Sequence, residues 1–546
     1  MSSSNLILAW ILILAAFPAA GQWGGQLRLA LRNDPRTFDP LLVDDSAGET
    51  IRYLTGGVLV RLNRVTQKLE PELAKIWKIS NGGRRLTLDL RENIVFSDGT
   101  PFTADDVAFT IRRMMDPSLH SPTGDSFRSS AGSVSVSIPK RNSVVIDFPA
   151  PVASLERLLD QVVIQSAKAP QERAVLGPFR IADHRPGQFV ELRRNPNYWK
   201  KNSNGRRLPY LDSVRLDILG NKDTEMLRFS RGELHIMEGL DADSYDRLRN
   251  KQGITALNAG ATTDVEMFWF NQAGKAPINA AKRSWFQSRQ FRQAVSLAIN
   301  REDMIRLVYR GYAKQASGPV PSSSVWFNRK LQRTRYNSQQ ALRLLNSAGF
   351  QLRDSRLYDK QGNAVAFSLI TNAGNKTRLR LASLIQDDLK KIGIDVNITT
   401  LDFPSLLERT GKTLDYDACL LGLVNVDPDP NAQMNVWLSS AVNHQWNPAQ
   451  KVPATEWEAE IDKLMRVQAS AATHQIRKQA FDRVQEIVAQ ESPFIYLVNR
   501  DALGALTPAL RNISPASLRP HFYWNIEHLS LNAGEKGTHV AAATVR

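Results

Sequence analysis

The sequence predicts a mixed α/β protein built from two or three domains. Three observations carry this: the length, the alternation of strand-period with helix-period segments, and a direct switch from one period to the other late in the chain. At 546 residues the chain exceeds what a single hydrophobic core organises. Its 42% hydrophobic and 23% charged residues are ordinary for a globular protein, which excludes disorder over most of the length.

The strands show period two. Leu86, Leu88 and Leu90 alternate with polar residues, as do Val144, Ile146 and Phe148, and Val214, Leu216 and Ile218. The helices are as plain. Thr103 and Asp106 form a capping box ahead of Val107, Ile111 and Met114. Phe291, Ala294, Val295, Ala298 and Ile299 make one apolar stripe, and Asn300 caps a helix carrying Met304, Leu307 and Val308. Leu381, Ile385, Leu389 and Ile392 make another, and Ile394, Val396 and Ile398 switch at once to period two. A helix feeding a strand is the unit of a mixed α/β sheet. Turns fall at Asp98-Gly99-Thr100-Pro101, at Gly177-Pro178 and at Asn195-Pro196-Asn197. Residues 258–264 and 271–279 are small and polar and read as a crossing segment. No fixed-period repeat is present.

The apolar run Leu6 to Ala20 is shorter than the roughly 20 residues of a spanning helix. Ala19-Ala20-Gly21 follows it, so residues 1–21 read as a secretory signal peptide cleaved near Gly21. No Lys or Arg precedes Arg28, which keeps an uncleaved anchor open as the alternative. No second run of this kind occurs, and the rest is not expected to be an integral membrane protein. The single cysteine, Cys419, sits in the apolar run Ala418-Cys419-Leu420-Leu421 and reads as a buried, inert thiol. No cysteine follows the signal to carry a lipid. Export without disulfides points to a periplasm, or to secretion.

Net charge is +16 with a pI near 9.9. A solvated basic surface and attraction to an anionic membrane or cell-wall polymer both fit. No basic helix with interleaved aromatics supports nucleic-acid binding. Catalytic and metal signatures are also missing. The histidines are scattered, without a His-Glu-x-x-His helix, and there is no Gly-x-Ser-x-Gly elbow. Gly374-Asn375-Lys376-Thr377 lacks the upstream glycine of a phosphate loop. The reading is therefore not an enzyme, with a secreted hydrolase as the remote alternative and no cofactor. His444 is the histidine to inspect for a metal in a cleft, against a bland surface role. Trp437 and Trp446 shape either a cleft wall or a packed loop.

Five segments, in order, resemble one family. They are Leu69-Glu70-Pro71-Glu72-Leu73-Ala74 with Trp77; Leu90 to Val107, containing Asp98-Gly99-Thr100-Pro101-Phe102; Gly177-Pro178-Phe179-Arg180-Ile181; Leu192 to Trp199, containing Asn195-Pro196-Asn197-Tyr198-Trp199; and Arg289-Gln290-Phe291-Arg292-Gln293-Ala294 through Asn300-Arg301-Glu302. On these the chain resembles the family-five extracellular solute-binding proteins, the dipeptide, oligopeptide and nickel receptors of ABC importers. The resemblance runs from about Leu27 to Leu531. The motifs themselves are scaffold: they launch capped helices and end strands.

The resemblance implies a two-lobed periplasmic binding protein fold with mixed sheets and an extra domain inserted in the first lobe. Lobe I would comprise 22–46, 169–264 and 490–532, the inserted domain 47–168, lobe III 265–489, and 533–546 a flexible tail. It implies a monomeric receptor, peripheral at the membrane, that captures a small solute between lobes closing by hinge bending. Permease and ATPase subunits would be separate chains. An oligopeptide or dipeptide is the first expectation; a nickel complex, haem, an opine or an oligosaccharide is the alternative.

It further implies a site. Val43 to Ala47, with Ser46, Thr123 to Phe127, with Asp125 and Phe127, and Gly422 to Pro430 correspond to ligand-lining segments that pair with extended peptide backbone. Phe403 falls where an aromatic wall is usual. Gly422, Leu423, Asn425, Val426 and Asp427 form the last loop. Leu423 stands in place of the family's Trp, and Val426 in place of the aspartate that fixes a ligand amine. Asp427 takes the amine role by a register shift, or a free peptide α-amine is not the recognised group, since a buried unpaired ammonium is costly; the bland alternative is that Asp427-Pro428-Asp429-Pro430 is a turn with solvent-facing carboxylates. Calcium is disfavoured, since a third carboxylate and a glycine are lacking. No metal ligand or catalytic residue is assigned.

Overall fold

The computed structural model describes residues 23–124, 133–168, 174–424, 427–471 and 473–532. The expected signal peptide and tail lie outside these residues, as do the expected site residues Asp125, Phe127, Asn425 and Val426.

Local signals become elements where side chains can satisfy backbone. Thr103 N donates to Asp106 Oδ2 at 2.7 Å and opens the helix Ala104–Met115. That helix lays Val107, Ile111 and Met114 on Leu86, Leu88, Val144 and Ile146. Ser288 caps Arg289–Ala298, and Asn300 Oδ1 accepts from Glu302 N and Asp303 N at 3.2 and 3.3 Å. The helix Lys376–Lys390 buries Leu381, Ile385 and Leu389, and the following strand Asp395–Leu401 pairs in parallel with Ala366–Asn372.

Three large sheets organise the described residues. In the first lobe Gln26–Leu31 runs parallel to Ser213–Ile218, with Phe189–Arg194 and Phe179–Arg185 beyond it. Inserted between these comes an antiparallel sheet in the order Ala74–Ser80, Arg85–Leu90, Ser143–Asp147, Ser135–Lys140. The third sheet has seven strands and runs from Ile236–Glu238 through Phe494–Leu506, Thr255–Phe270, Ala418–Leu423 and Ala366–Asn372 to Asp395–Leu401. The short strand Ala313–Gln315 pairs beside Phe494–Leu506.

Two long strands join the two ends of this sheet. Thr255–Phe270 has 16 residues and Phe494–Leu506 has 13. One end of the pair lies against Ile236–Glu238, which follows the first lobe's helix Lys222–Ser230. The other end lies against Ala418–Leu423. Between the ends the register slips, at Asn258/Ala261 and at Ala261/Val265. Residues 258–264, expected as part of a crossing segment with 271–279, are the irregular middle of a strand that runs between the two ends of the sheet, and 271–279 follow that strand. Pairing with residues 499–504 supplies what the small polar side chains do not signal.

Beyond the irregularity the strand alternates cleanly. Val265, Met267 and Trp269 face a core shared with Tyr416, Trp437, Trp446 and Phe494, while Phe268 and Phe270 face one shared with Phe286, Phe291 and Phe367. Cys419 is fully buried, and burial pushes its thiol pKa well up. Trp437 and Trp446 are core residues, with ring centroids 6.0 and 5.0 Å from Phe494. No helix among the described residues is long and apolar enough to cross a membrane.

Candidate functional site

Three bodies meet along one seam: the first-lobe helix Ser46–Thr55, the inserted domain around Arg61, Asp160 and Val163, and the lobe III loop at Asp427. The helix is fixed by Asp45, whose Oδ1 accepts from Ala47 N and Gly48 N at 2.9 and 3.0 Å. Burial pushes the Asp45 carboxyl up, but its backbone hydrogen bonds, Gly48 first, bring it below the ordinary range. Tyr53 OH donates to Trp524 O at 2.8 Å and Thr50 Oγ1 lies 3.3 Å from Tyr523 OH, so the C-terminal return holds the helix from behind.

A cavity of about 370 Å³ opens between this helix and the inserted domain. Val43, Ile51, Arg52 and Thr55 line one side, and Phe109, Arg113, Val163 and Gln165 line the other. Its volume is that of a small-ligand pocket. Asp39 and Arg113 pair within it at 2.5 Å, and Gln165 Nε2 donates to Asp39 at 3.2 Å. A second cavity of about 20 Å³, enough for one water, adjoins it. Arg52 and Val163 line both, and Asp427 closes the small one opposite Glu49, Arg52 and Tyr53.

Asp427 is held by the protein itself. Arg157 Nη2 donates to Asp427 Oδ1 at 3.0 Å, and Asp429 N donates to the same carboxylate at 2.8 Å. Burial pushes the Asp427 carboxyl up and Arg157 offsets only part of this. Asp429 lies deeper, 4% exposed, with both oxygens on Arg477 at 2.5 and 3.0 Å. Arg477 also bonds Ser154 Oγ, and Asn431 Nδ2 donates to Ala153 O at 2.8 Å. The inserted domain and lobe III are therefore clasped together. Of the readings of Asp427-Pro428-Asp429-Pro430, the solvent-facing turn does not describe the fold, because two arginines remote in sequence turn both carboxylates inward.

Behind the loop the strand edges carry further buried ions. Arg378 clasps Glu266 with two bonds, 2.7 and 3.2 Å. Gly422 pairs with Glu266, and a Cβ built there would stand 2.4 Å from Arg378 Nη2, so glycine leaves room for the guanidinium. Asp264 accepts from Arg500 at 2.7 Å and from Arg519 at 2.8 Å. Burial pushes the Asp264 carboxyl up, but Arg519 and Arg500 outweigh it and hold it low. Glu238 has weaker help: burial raises its pKa to about 7 against the opposing charge of Arg519.

The expected site residues divide accordingly. Ser46 begins the seam helix and is exposed. Asp427 faces that helix across the small cavity. Gly422 and half-buried Leu423 lie on the strand leading to the loop, and Phe403, 51% exposed, begins the helix Phe403–Glu408. Phe403, Gly422 and Leu423 line neither cavity. Arg157 and Arg378 were missed, since nothing local marks an arginine whose partner is 270 residues away, as Asp427 is from Arg157, or 112, as Glu266 is from Arg378; Arg52 was missed although its partner Glu49 lies three residues before it.

His444 is neither on the surface nor in the seam. It is fully buried, with Nδ1 2.9 Å from Val436 O and Nε2 3.1 Å from Glu458. Among the described residues no group of three metal-ligating side chains comes together.

The profile of the bacterial extracellular solute-binding proteins, family 5 (middle), matches residues 68–445. A probable ABC transporter-binding protein of Deinococcus radiodurans is 28% identical over 448 residues, covering 74% of each chain. The oligopeptide-binding protein AppA of Bacillus subtilis is 24% identical over 87% of this chain and 86% of its own. In structure, AppA in complex with a nonapeptide superposes with a TM-score of 0.73 at 22% identity, covering 94% of this chain and all of that one. NikA from Brucella suis, in complex with Fe(III)-EDTA, gives 0.80 at 19%, covering 93% and 100%. The fold is that of the two-lobed periplasmic binding proteins with an extra domain in the first lobe.

Proposed function

Because the chain belongs to the bacterial extracellular solute-binding proteins of family 5, we propose that it captures a short peptide in the seam between its lobes and delivers it to an ABC importer. The observation that carries this reading is the junction itself. The helix Ser46–Thr55 and the inserted domain line a cavity of about 370 Å³, and Asp427 of lobe III closes the adjoining one of about 20 Å³. A solute enters there as the lobes part, with Asp427 beside it, and reaches Ser46, Phe403, Gly422 and Leu423 only where it extends beyond the two cavities. The irregular middle of Thr255–Phe270 and Phe494–Leu506 is where the lobes bend. The relative AppA is named for oligopeptides, which supports a peptide here.

The receptor binds without turnover and needs no cofactor. It works as a monomer, exported by the N-terminal signal and cleaved near Gly21. Its lobes follow the boundaries given above, save that the helix Ser46–Thr55 counts with the first lobe, whose core takes Ala47, Ile51 and Leu54, and that Phe494–Leu506 runs between the lobes; permease and ATPase are separate chains. A second reading is favoured by one observation. Arg157 already occupies the Asp427 carboxylate, so the solute is one without a free α-ammonium, such as a metal chelate or a blocked peptide.

Native mass spectrometry of the protein purified from cells tests the choice. A ladder of peptide masses is expected, and a single defined non-peptide mass overturns the peptide reading. Val43→Trp, which fills the larger cavity, is expected to abolish the co-purifying mass while the melting temperature holds. Unchanged capture overturns the seam as the site.

A further inference from the structure

The positive charge of this chain is not spread evenly. Residues 304–353 contain nine lysines and arginines and no aspartate or glutamate, so these 50 residues hold +9 of the net +16. All nine are exposed; Arg306 and Arg310 are ion-paired, and the other seven, among them the five Lys314, Arg329, Lys330, Arg333 and Arg335, have no ion pair with a described carboxylate. That is unusual in this protein, where most arginines near an acid are clasped to it.

The five are also gathered by the fold. Residues 331–337 form no helix or strand, yet both ends of the segment are tied to lobe III. At one end Asn328 N donates to Gln485 Oε1 at 3.0 Å, and Asn328 Nδ2 donates to Asp482 O at 3.2 Å, fixing Arg329 and Lys330 beside the helix His474–Glu491. At the other, Gln315 Nε2 donates to Thr334 O at 2.7 Å, which brings Lys314 next to Arg333 and Arg335. Two acids on the adjoining helix are already engaged, Asp482 with Lys478 and Glu486 with Arg483.

We propose that this basic strip on lobe III is a docking surface for anionic phospholipid headgroups. The segment carries one exposed aromatic ring, Tyr336, rather than a series of rings on which nucleic-acid bases could stack. Such a strip suits a diffuse, flat array of negative charge. Cations held within a Debye length of one another add their attraction to a charged bilayer, each worth about fivefold in partitioning. Docking by this face keeps a receptor that serves a membrane importer concentrated at the bilayer, whatever solute it carries. The surface stands apart from the seam, so its test does not depend on the peptide reading.

The experiment is co-sedimentation with phosphatidylcholine vesicles, with and without phosphatidylglycerol, using the protein in the form in which it accumulates in the cell. Binding is expected only with phosphatidylglycerol, and it is expected to vanish near 1 M salt, where the Debye length falls to about 3 Å. The quadruple change Arg329→Gln, Lys330→Gln, Arg333→Gln and Arg335→Gln is expected to lower the partition coefficient at least about tenfold. The matched change Lys75→Gln, Lys78→Gln, Lys140→Gln and Arg141→Gln, on exposed residues of the inserted domain, is expected to move it less than about twofold. Equal binding to neutral vesicles, equal loss in both variants, or full binding by the first variant overturns the proposal. Loss of solute uptake with vesicle binding intact also overturns it, in favour of a protein contact on the permease.

Discussion

Arg157 of the inserted domain donates to Asp427 of lobe III at 3.0 Å, and each side chain is about 15% exposed. A carboxylate and a guanidinium this far from water stabilise only as a pair, and removing one leaves the other uncompensated at a cost of several kcal/mol. Asp429, 4.0 Å from Arg157 Nε, is already committed to Arg477 and makes a poor substitute.

Asp427→Ala is therefore expected to loosen the clasp while each domain stays folded. Solute affinity should fall about tenfold or more, measured by calorimetry. The double variant with Arg157→Ala should recover part of the loss, giving a coupling of about 1–3 kcal/mol in a double-mutant cycle. Additive losses would show that the two residues act separately.

Gly422→Ala tests the passage of Arg378. The new methyl meets the tip of a flexible side chain, so steric strain alone is small, but Arg378 must leave Glu266. A destabilisation of about 1–3 kcal/mol is expected in denaturant melts. An unchanged midpoint would mean that the pair re-forms around the methyl.

Stability should depend on pH through Glu238. Its folded pKa, about 7, lies above the ordinary 4.5, so between these values the folded state binds more protons than the unfolded one. Stability then falls as pH rises from about 4.5 to 7, by on the order of 1–3 kcal/mol. Glu238→Gln should flatten the profile, and an unaltered slope would assign the dependence elsewhere.

Glu458 holds the aromatic core of lobe III. One oxygen accepts from Trp446 Nε1 at 2.9 Å and Gln450 Nε2 at 2.9 Å beside His444 at 3.1 Å, and the other accepts from Thr455 Oγ1 at 2.8 Å. Glu458→Ala is expected to cost about 3 kcal/mol or more, by leaving these donors unpaired. Solute binding by the surviving folded fraction should be unchanged, since none of these groups lines the seam cavities.

What the sequence made legible follows the range of the forces. The helix Ala104–Met115 is readable because its cap and stripe lie within twelve residues. The strand through 258–264 is not, because Asn258, Ala259, Gly260 and Ala261 carry no period and are held by a partner strand some 240 residues later. Solvent-facing carboxylates were one option for Asp427-Pro428-Asp429-Pro430, because Arg157 and Arg477 announce nothing locally. His444 was misplaced for the same reason: its bond to Glu458, 14 residues on, follows from how the loop folds back.

Cys419 has a practical consequence. It is the chain's one cysteine, it is fully enclosed, and its thiol is kept protonated by burial. The native protein thus comes without a competing site for maleimide chemistry. A single cysteine substituted for Val424, exposed and three residues before Asp427, can carry a fluorophore, so the lobe motion proposed above becomes readable as an optical signal in the otherwise unaltered chain.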